Sequence, residues 1–347
     1  MNKIVVILGP TASGKTSLSI KLAKKFNGEV VSADSRQVYK GMDIGTGKVT
    51  KKEMASIPHY LLDVASPNAR FTVAQFQKLA KKALKKIHKK GKLPFLVGGT
   101  GFYIQAVVDN LSLPKVKPDW KLRKNLEKLS NEELFKKLKK LDPKRAKSID
   151  RHNPRRLIRA IEIILKTGKP VPSLEHQTPD VCCSRHRVSD GFDILIIGVK
   201  KSPKELKELI KKRLLKRLRN NPPATLCKRA CSRSDAGGEM VNEVKKLHKK
   251  GVSWKRLEEF GLEYRYIALY LQNKLTYDEM AEKLEKEIWH YAKRQITWFK
   301  KDKRIKWVGS YKETAQIIDK FINRLYDKIS TNCQMFGNPS KSLLGGK

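Results

Sequence analysis

Short apolar runs alternate along this chain with longer segments in which apolar residues recur every three or four positions. The runs at residues 4–8, 29–33 and 193–199 have the length and composition of buried strands, and another begins at Pro94 and passes into a glycine turn. A shorter candidate strand covers residues 59–64. Because strand and helix patterns alternate, we expect an α/β fold in which helices flank a parallel sheet.

The longest helical patterns are amphipathic. Residues 72–90 and 277–301 each carry an apolar stripe at helical spacing. Between them, candidate helices at 119–128, 131–141 and 154–166 are basic and separated by prolines.

These patterns predict a division into domains. Residues 1–113 and 192–328 are expected to form the α/β core with C-terminal helices, and residues 114–191 a helical insertion domain. Residues 329–347 lack any periodicity and are expected to be a disordered tail.

The first strand leads directly into a glycine-rich turn. Residues 9–16 match the phosphate-loop (P-loop) pattern G-x-x-x-x-G-K-[ST], and a helical pattern follows. Glycines let several backbone N–H groups point inward, and the start of a helix adds partial positive charge. Lys15 is expected to reach the outer phosphates, and the Thr16 hydroxyl to hold Mg²⁺. A glycine turn without a ligand is the alternative, and the loop does not identify whose phosphates it binds.

Polar residues also follow the next two long strands. Asp34 comes directly after the second strand, and Thr100 lies in the Gly-Gly-Thr turn after the run at Pro94. Ligands of open α/β sheets bind at the carboxyl ends of strands, so Asp34 should face the same crevice as the phosphate loop. It would be a Mg²⁺-associated group, a general base or a helix N-cap. The Gly-Gly-Thr ending weakens an ordinary NTPase interpretation, and the Thr100 hydroxyl can donate to a phosphate oxygen.

The charge of the chain is strongly positive, with 76 Lys and Arg against 34 Asp and Glu and a net charge of +42. Such an excess opposes compaction, so a polyanionic partner explains it better than a merely lysine-rich surface. Arg155, Arg156 and Arg159 lie near the start of a predicted helix, where cations oppose the helix dipole. They indicate either an external anion or pairing with Glu162. Basic and aromatic residues after position 292 suit RNA.

The cysteines at positions 182, 183, 227, 231 and 333 are odd in number and lack paired C-x-x-C spacing. They predict a reduced, cytoplasmic protein without a zinc site. The sequence contains neither a secretory signal nor an apolar stretch long enough to span a membrane.

Together these pieces resemble one family, the tRNA dimethylallyltransferases (adenosine-37 isopentenyltransferases). The similarity covers about residues 3–325 and depends on the combination of motifs, since the phosphate loop alone would not carry it. The matching stretches are residues 9–16, 34–39, 40–46, 94–100, 153–160 and 293–298.

The resemblance implies transfer of a dimethylallyl group from dimethylallyl diphosphate to N6 of adenosine 37, beside the tRNA anticodon. Asp34 would accept the N6 proton, and Lys15, Thr16 and Thr100 would complete the catalytic set, with Mg²⁺ held by Thr16 as the cofactor. The residues implied to bind the diphosphate are Gly9, Pro10, Thr11, Ala12, Ser13, Gly14, Lys15, Thr16 and Arg265.

The same resemblance implies contacts to the anticodon stem-loop of tRNA by an enzyme expected to be a monomer. These residues are Asp34, Ser35, Arg36, Gln37, Thr100, Arg123, Arg155, Arg156, Leu157, Ile158, Arg159, Lys293, Arg294, Gln295, Trp298 and Lys300.

Three segments depart from the family pattern. Residues 220–238 are rich in Cys, Pro and Arg where the family has a short helix-turn, and residues 182–191 are irregular. Residues 261–265 read Gly-Leu-Glu-Tyr-Arg in place of Gly-Tyr-Arg. The zinc-finger extension of some eukaryotic members is absent, which favours a bacterial-type enzyme.

Two other functions use a phosphate loop. A nucleoside or small-molecule kinase would leave the arginine clusters, the Gly-Gly-Thr turn and the charge unexplained. An RNA-binding NTPase would give residues 34–37 no role.

Overall fold

The computed structural model describes residues 2–114, 116–171, 191–218 and 238–323. The segments 182–190, 220–237 and 329–347, and with them all five cysteines, lie outside these residues, so the expectations for them stay predictions. The chain divides into two compact units, the first within Met1–Val108 and Arg185–Lys347 and the second within Asp109–Ser184. No helix among the described residues is long and apolar enough to cross a membrane.

The first unit contains a six-stranded parallel sheet with the order β3-β2-β4-β1-β5-β6, which confirms the predicted parallel sheet. Its strands are β1 Asn2–Leu8, β2 Gly28–Ala33, β3 His59–Tyr60, β4 Leu93–Gly98, β5 Phe192–Val199 and β6 Lys306–Val308. Because β4 lies between β2 and β1 and all three are parallel, the turns that follow them meet at one edge of the sheet.

Helices cover both faces of this sheet. The helices of the first unit are α1 Lys15–Lys25, α2 Lys51–Met54, α3 Val73–Lys89, α4 Gly101–Val108, α9 Pro203–Arg217, α10 Glu239–Lys249, α11 Trp254–Phe260, α12 Leu262–Leu271, α13 Tyr277–Phe299 and α14 Tyr311–Asn323. Side chains alternate between faces along a strand. Ile4 and Val6 therefore pack with α3 and α4, whereas Val5 and Ile7 pack with α1 and α14.

Local sequence signals explain where the long helices begin. Thr72 and Thr276 each form a capping box with the residue three positions later, at the starts of α3 and α13. Helices α9–α13 share a further apolar cluster with the segment after β2, which includes Val38 and Met42. This cluster places side chains of late helices next to loops that come early in the chain.

The second unit consists of short helices around its own apolar core. They are α5 Trp120–Leu126, α6 Asn131–Leu141, α7 Pro143–Ser148 and α8 Pro154–Thr167. Asn153 caps α8 by accepting a hydrogen bond from the Arg156 N–H.

Candidate active site

The phosphate loop, residues 9–16, joins the end of β1 to the start of α1. Its backbone has positive φ at Ala12 (62°) and Gly14 (86°), and a Cβ on Gly9 would lie 3.1 Å from the Ser13 hydroxyl oxygen. Within the described residues, that buried hydroxyl has no hydrogen-bond partner. Gly14 is the N-cap of α1 and offers no side-chain acceptor to the first N–H groups. A buried unpaired hydroxyl beside an uncapped helix start suits an anion.

Positive charge is concentrated around this loop. Arg213 of α9 donates from Nη1 to Thr11 Oγ1 at 3.1 Å. Burial, reinforced by the charge of Arg213, lowers the pKa of Lys15 to about 7, and Asp34 opposes this shift. Burial and the charge of Arg217 lower the pKa of Arg213 to about 10. In both residues the charged form is thus disfavoured, and a bound anion would relieve this cost, which favours a ligand over an empty glycine turn.

Asp34, directly after β2, faces the same crevice. Its Oδ1 accepts hydrogen bonds from the N–H groups of Arg36 (2.8 Å) and Gln37 (3.3 Å) in a turn that no helix follows, so Asp34 is not the helix N-cap of the third alternative. Its charge acts on both Lys15 and Arg213, opposing the lowering of their pKa values. One oxygen therefore orients the carboxylate, and Oδ2 accepts no hydrogen bond from the described residues.

The residues after Asp34 are held by contacts with the neighbouring turns and with an aromatic side chain. The Ser35 N–H donates to Thr100 Oγ1 at 3.0 Å, which joins the turns after β2 and β4. Gln37 Nε2 donates to Gly47 O at 3.2 Å. The guanidinium of Arg36 lies over the ring of Phe260, 5.7 Å from its centroid. The structure thus brings Ser35, Arg36, Gln37 and Thr100 together with the phosphate loop, and their tRNA contacts stay predictions.

Gln295 of α13 links the phosphate loop to the glycine turn after β4. Its Oε1 accepts from the Thr11 N–H at 2.8 Å, and its Nε2 donates to Gly99 O at 2.7 Å. A Cβ on Gly99 would lie 2.5 Å from that Nε2, and one on Gly101 only 2.3 Å from Trp298 Cδ1, so close packing explains both glycines. Gln295 is 6% exposed. Its side chain is an internal bridge, which corrects the expectation that it contacts tRNA.

Tyr291 is a site residue that the sequence patterns did not identify. It lies one helical turn before Gln295 on the same face of α13, and it interacts with Thr100 and Asp34. Burial and the charge of Asp34 raise the pKa of the Tyr291 hydroxyl above its usual value. It is a neutral donor beside the candidate base. In the sequence, the spacing of four residues between Tyr291 and Gln295 could have indicated that both lie on the face of α13 that meets the site.

Glu243 of α10 holds the glycine segment, which we define as residues 41–48. Its carboxylate accepts from the three consecutive N–H groups of residues 43–45 at 2.6–3.1 Å. From the other side, Arg213 and Arg217 donate to carbonyl oxygens of the same segment at 3.3 and 3.0 Å. The glycine segment therefore connects a buried carboxylate to the cations at the phosphate loop. No sequence motif marked Glu243.

Arg265 does not take the position expected of a diphosphate ligand. It is exposed and donates from Nε to Glu258 O at 3.1 Å. The preceding residue, Tyr264, is buried and donates to Glu243 at 2.7 Å. Successive helical residues point about 100° apart, so a buried Tyr264 turns Arg265 outward. The arginine at the phosphate loop is instead Arg213, which corrects the expected assignment.

The outer face of α13 carries most of the remaining predicted tRNA contacts. Lys293, Arg294 and Lys300 are exposed, and Trp298 is 39% exposed. An open groove of about 450 Å³ on this face is lined by His290, Lys293, Arg294, Thr297, Trp298 and Lys301. This surface has the basic and aromatic character that suits RNA.

In the second unit, the predicted tRNA residues separate into three groups. Arg155 and Arg156 are exposed at the start of α8. Leu157 and Ile158 are buried in the core of this unit, which corrects the expectation that their side chains contact tRNA. Their burial follows from the apolar face of α8.

The third group pairs with Glu162, which is fully buried. Arg123 donates to its carboxylate at 2.8 and 2.6 Å, and Arg159 also pairs with it. Burial alone would raise the pKa of Glu162, but the hydrogen bonds from Arg123, Asp119 N–H and Arg159 lower it overall. Of the three arginines near the start of α8, Arg159 therefore follows the pairing alternative, and Arg123 pairs with the same carboxylate. The exposed Arg155 and Arg156 are the better candidates for an external anion.

The described residues contain no group of three or more His, Cys, Asp or Glu side chains that could hold a metal ion. Thr16 is exposed in the first turn of α1. Mg²⁺ prefers oxygen ligands and commonly binds through substrate phosphates and water with few protein ligands. The Thr16 hydroxyl together with phosphate oxygens is a donor set of that kind.

Comparisons with known proteins extend these observations. A family model described as IPP transferase matches residues 37–302. The tRNA dimethylallyltransferase of Thermoanaerobacter sp. (strain X514) is 38% identical over 335 residues, covering 94% of this chain and 99% of that relative. The tRNA dimethylallyltransferase 1 of Syntrophus aciditrophicus (strain SB) is 40% identical over 307 residues, covering 88% and 91%.

Solved structures give the same result. The full-length tRNA isopentenylpyrophosphate transferase from Bacillus halodurans is 34% identical and covers 96% of this chain and 100% of its own, with a TM-score of 0.63. A eukaryotic dimethylallyltransferase acting on tRNA is 26% identical and covers 93% and 80%, with a TM-score of 0.72. Since the family model spans well over half of the residues and the relatives align almost end to end, this chain belongs to the IPP transferase family.

Proposed function

We propose that this protein transfers a dimethylallyl group from dimethylallyl diphosphate to N6 of adenosine 37 in tRNA, giving N6-(dimethylallyl)adenosine and diphosphate. One observation carries this proposal. The turn of Asp34 is hydrogen-bonded to Thr100, and Gln295 joins the same turn after β4 to the phosphate loop, so a candidate base and the cations of that loop face one crevice. The charge of Asp34 acts on Lys15 and Arg213. The names of the relatives support the choice of prenyl donor and RNA acceptor.

The reaction requires the proton-accepting carboxylate and the cations that bind the diphosphate to be adjacent. N6 forms a bond to C1 of the dimethylallyl group while the C1–O bond breaks, and the bonding electrons leave with the diphosphate. The amine nitrogen is a poor nucleophile because its lone pair is delocalised into the ring, so Asp34 takes the N6 proton as the bond forms. Lys15, Arg213 and the N–H groups of the phosphate loop stabilise the negative charge on the departing diphosphate.

Tyr291 and Thr100 lie beside the carboxylate, where hydroxyl groups can orient it or the incoming adenine. Thr16 would hold Mg²⁺ together with diphosphate oxygens, and the ion would supply further neutralisation of phosphate charge. The target adenine must leave its base stack to reach Asp34. The exposed basic residues Arg155 and Arg294 are suited to contact the RNA backbone.

Asp34→Asn tests the base assignment because asparagine keeps an oxygen that can accept from the Arg36 and Gln37 N–H groups. We expect transfer of labelled dimethylallyl groups to an anticodon stem-loop with adjacent adenines to fall by about 10²- to 10⁴-fold. Binding of the RNA should be unchanged. Transfer at a near wild-type rate would show that Asp34 is not the base.

A parallel reaction with ATP in place of dimethylallyl diphosphate distinguishes the rival functions. Label in the RNA supports the transferase. ATP turnover without prenyl transfer by the wild-type protein would instead favour a kinase or an RNA-binding NTPase and overturn the proposal.

A further inference from the structure

Trp120, the first residue of α5, presents an unusually large aromatic surface on the second unit. It is 51% exposed, whereas tryptophan side chains are on average largely buried. Asp119 caps α5 by accepting from the Leu122 N–H at 3.0 Å, so the backbone that carries the indole is held in place. A fixed and exposed indole is a surface on which a flat ligand can stack.

A cation supports this ring. The guanidinium of Arg123 lies over the Trp120 ring, 5.0 Å from its centroid. Arg123 is itself fixed by two hydrogen bonds, at 2.8 and 2.6 Å, to the fully buried Glu162. Because Arg123 is held by Glu162 and lies over the ring, the indole has less side-chain freedom to lose when a ligand binds.

The charge of the residues around Trp120 indicates which kind of ligand would bind there. Over residues 109–171, basic residues outnumber acidic ones by more than two to one. Lys121 and Lys124 are exposed on either side of Arg123, and Arg155 and Arg156 are exposed on α8. A partner that combines flat apolar faces with dense negative charge is a nucleic acid with unpaired bases.

We propose that Trp120 is a stacking platform for an unpaired base of the RNA substrate, with Arg123 positioning the indole from beneath. The identity of that RNA as tRNA rests on the proposed function. The stacking contact is a further interaction surface, separate from the phosphate loop and Asp34, and it explains why an arginine tied to a buried carboxylate also covers an exposed ring.

Binding of a fluorescent anticodon stem-loop to the full-length protein, measured over a series of salt concentrations, tests this inference. Trp120→Ala should weaken binding by about 5- to 100-fold, the usual effect of removing one stacking side chain. Trp120→Phe should retain most of the affinity. The slope of log affinity against log salt should be the same in all variants, because stacking neutralises no phosphate.

Leu165→Ala is the matched control. Leu165 is an exposed apolar residue of α8 in the same unit, 47% exposed, and its replacement should leave RNA affinity unchanged. Circular dichroism of each variant checks folding. If Trp120→Ala binds as tightly as wild type, or if Trp120→Phe loses as much affinity as Trp120→Ala, the stacking proposal is overturned.

The transfer assay separates this proposal from the proposed function. Trp120→Ala should raise the KM for RNA and keep the kcat at saturating RNA. A wild-type protein that binds the stem-loop but transfers no prenyl group would overturn the proposed function, and the binding comparison would still decide the role of Trp120.

Discussion

Replacing Glu243 with glutamine should loosen the glycine segment without changing the shape of the side chain. In the wild type, Oε2 accepts from the Asp43 and Ile44 N–H groups, and Oε1 accepts from the Gly45 N–H and the Tyr264 hydroxyl. An amide has one oxygen, so its NH₂ group must face one of these pairs of donors. The less costly choice places NH₂ at the Oε1 position, where the Tyr264 hydroxyl can rotate and accept.

That arrangement leaves the Gly45 N–H without an acceptor. Hydrogen bonds to charged groups contribute about 1.5–3 kcal/mol, and neutral ones about 1 kcal/mol. The variant loses one hydrogen bond to a charged group and weakens two others, but a neutral amide costs less to bury than a carboxylate. Together these changes should lower the free energy of opening the segment by about 3 kcal/mol. Because every 1.4 kcal/mol changes an equilibrium constant tenfold, the open form of the segment should become about 100-fold more populated.

Native-state hydrogen exchange measures this opening directly. Amides of residues 43–45 should exchange about 100-fold faster in Glu243→Gln, whereas those of β1 should change little. Affinity for inorganic diphosphate should fall, since Arg213 and Arg217 are positioned by carbonyls of the same segment. Tyr264→Phe is the control, because it removes one donor and leaves all three amides bonded to the carboxylate.

Equal exchange rates for residues 43–45 in Glu243→Gln and wild type would refute the reasoning. So would a uniform acceleration across β1 and the glycine segment, since that would mean that Glu243 stabilises the whole unit rather than this segment.

Two further predictions follow from the phosphate loop and its neighbours. Burial and Arg213 lower the pKa of Lys15 from 10.5 to about 7, so between these values the unfolded chain binds more protons than the folded one. The free energy of unfolding should therefore rise with pH from about 7 to 10, by at most about 1.4 kcal/mol per pH unit from this group, with no contribution to the slope below that window. Urea denaturation over this range should show a shallower rise in Lys15→Met; identical slopes would mean that Lys15 keeps its usual pKa. Gly99→Ala would place a Cβ 2.5 Å from Gln295 Nε2, whereas Gly309 has nothing within 4 Å of its own position. Gly99→Ala should thus cost about 1–3 kcal/mol and weaken diphosphate binding, and Gly309→Ala should change stability by less than about 0.5 kcal/mol, as thermal unfolding would report. Equal stability of the two variants would contradict the packing explanation for Gly99.

Structural features that depend on residues close together in the sequence, such as strands, turns and helix starts, were predictable from the sequence alone. A run such as residues 4–8 alternates its side chains between two buried faces, and the glycines and Lys15 after it are already in the spacing that an anion-binding turn needs. Thr72 and Thr276 mark helix starts through bonds that reach only three residues along the chain. Asp34 could be assigned to the crevice because the carboxyl ends of parallel strands meet at one edge.

Contacts between distant segments were not predictable in this way. Gln295 and Thr11 are 284 positions apart, yet one side chain bridges two loops only because α13 packs across both. Arg265 and Arg213 are both arginines on helices, and packing alone turns the first outward and the second toward the phosphate loop. The same holds for Glu162, whose burial converts two arginines expected at an RNA surface into internal ion-pair partners. Periodicity specifies which face of a helix is apolar, but the neighbour that each polar side chain meets depends on where the whole helix comes to lie.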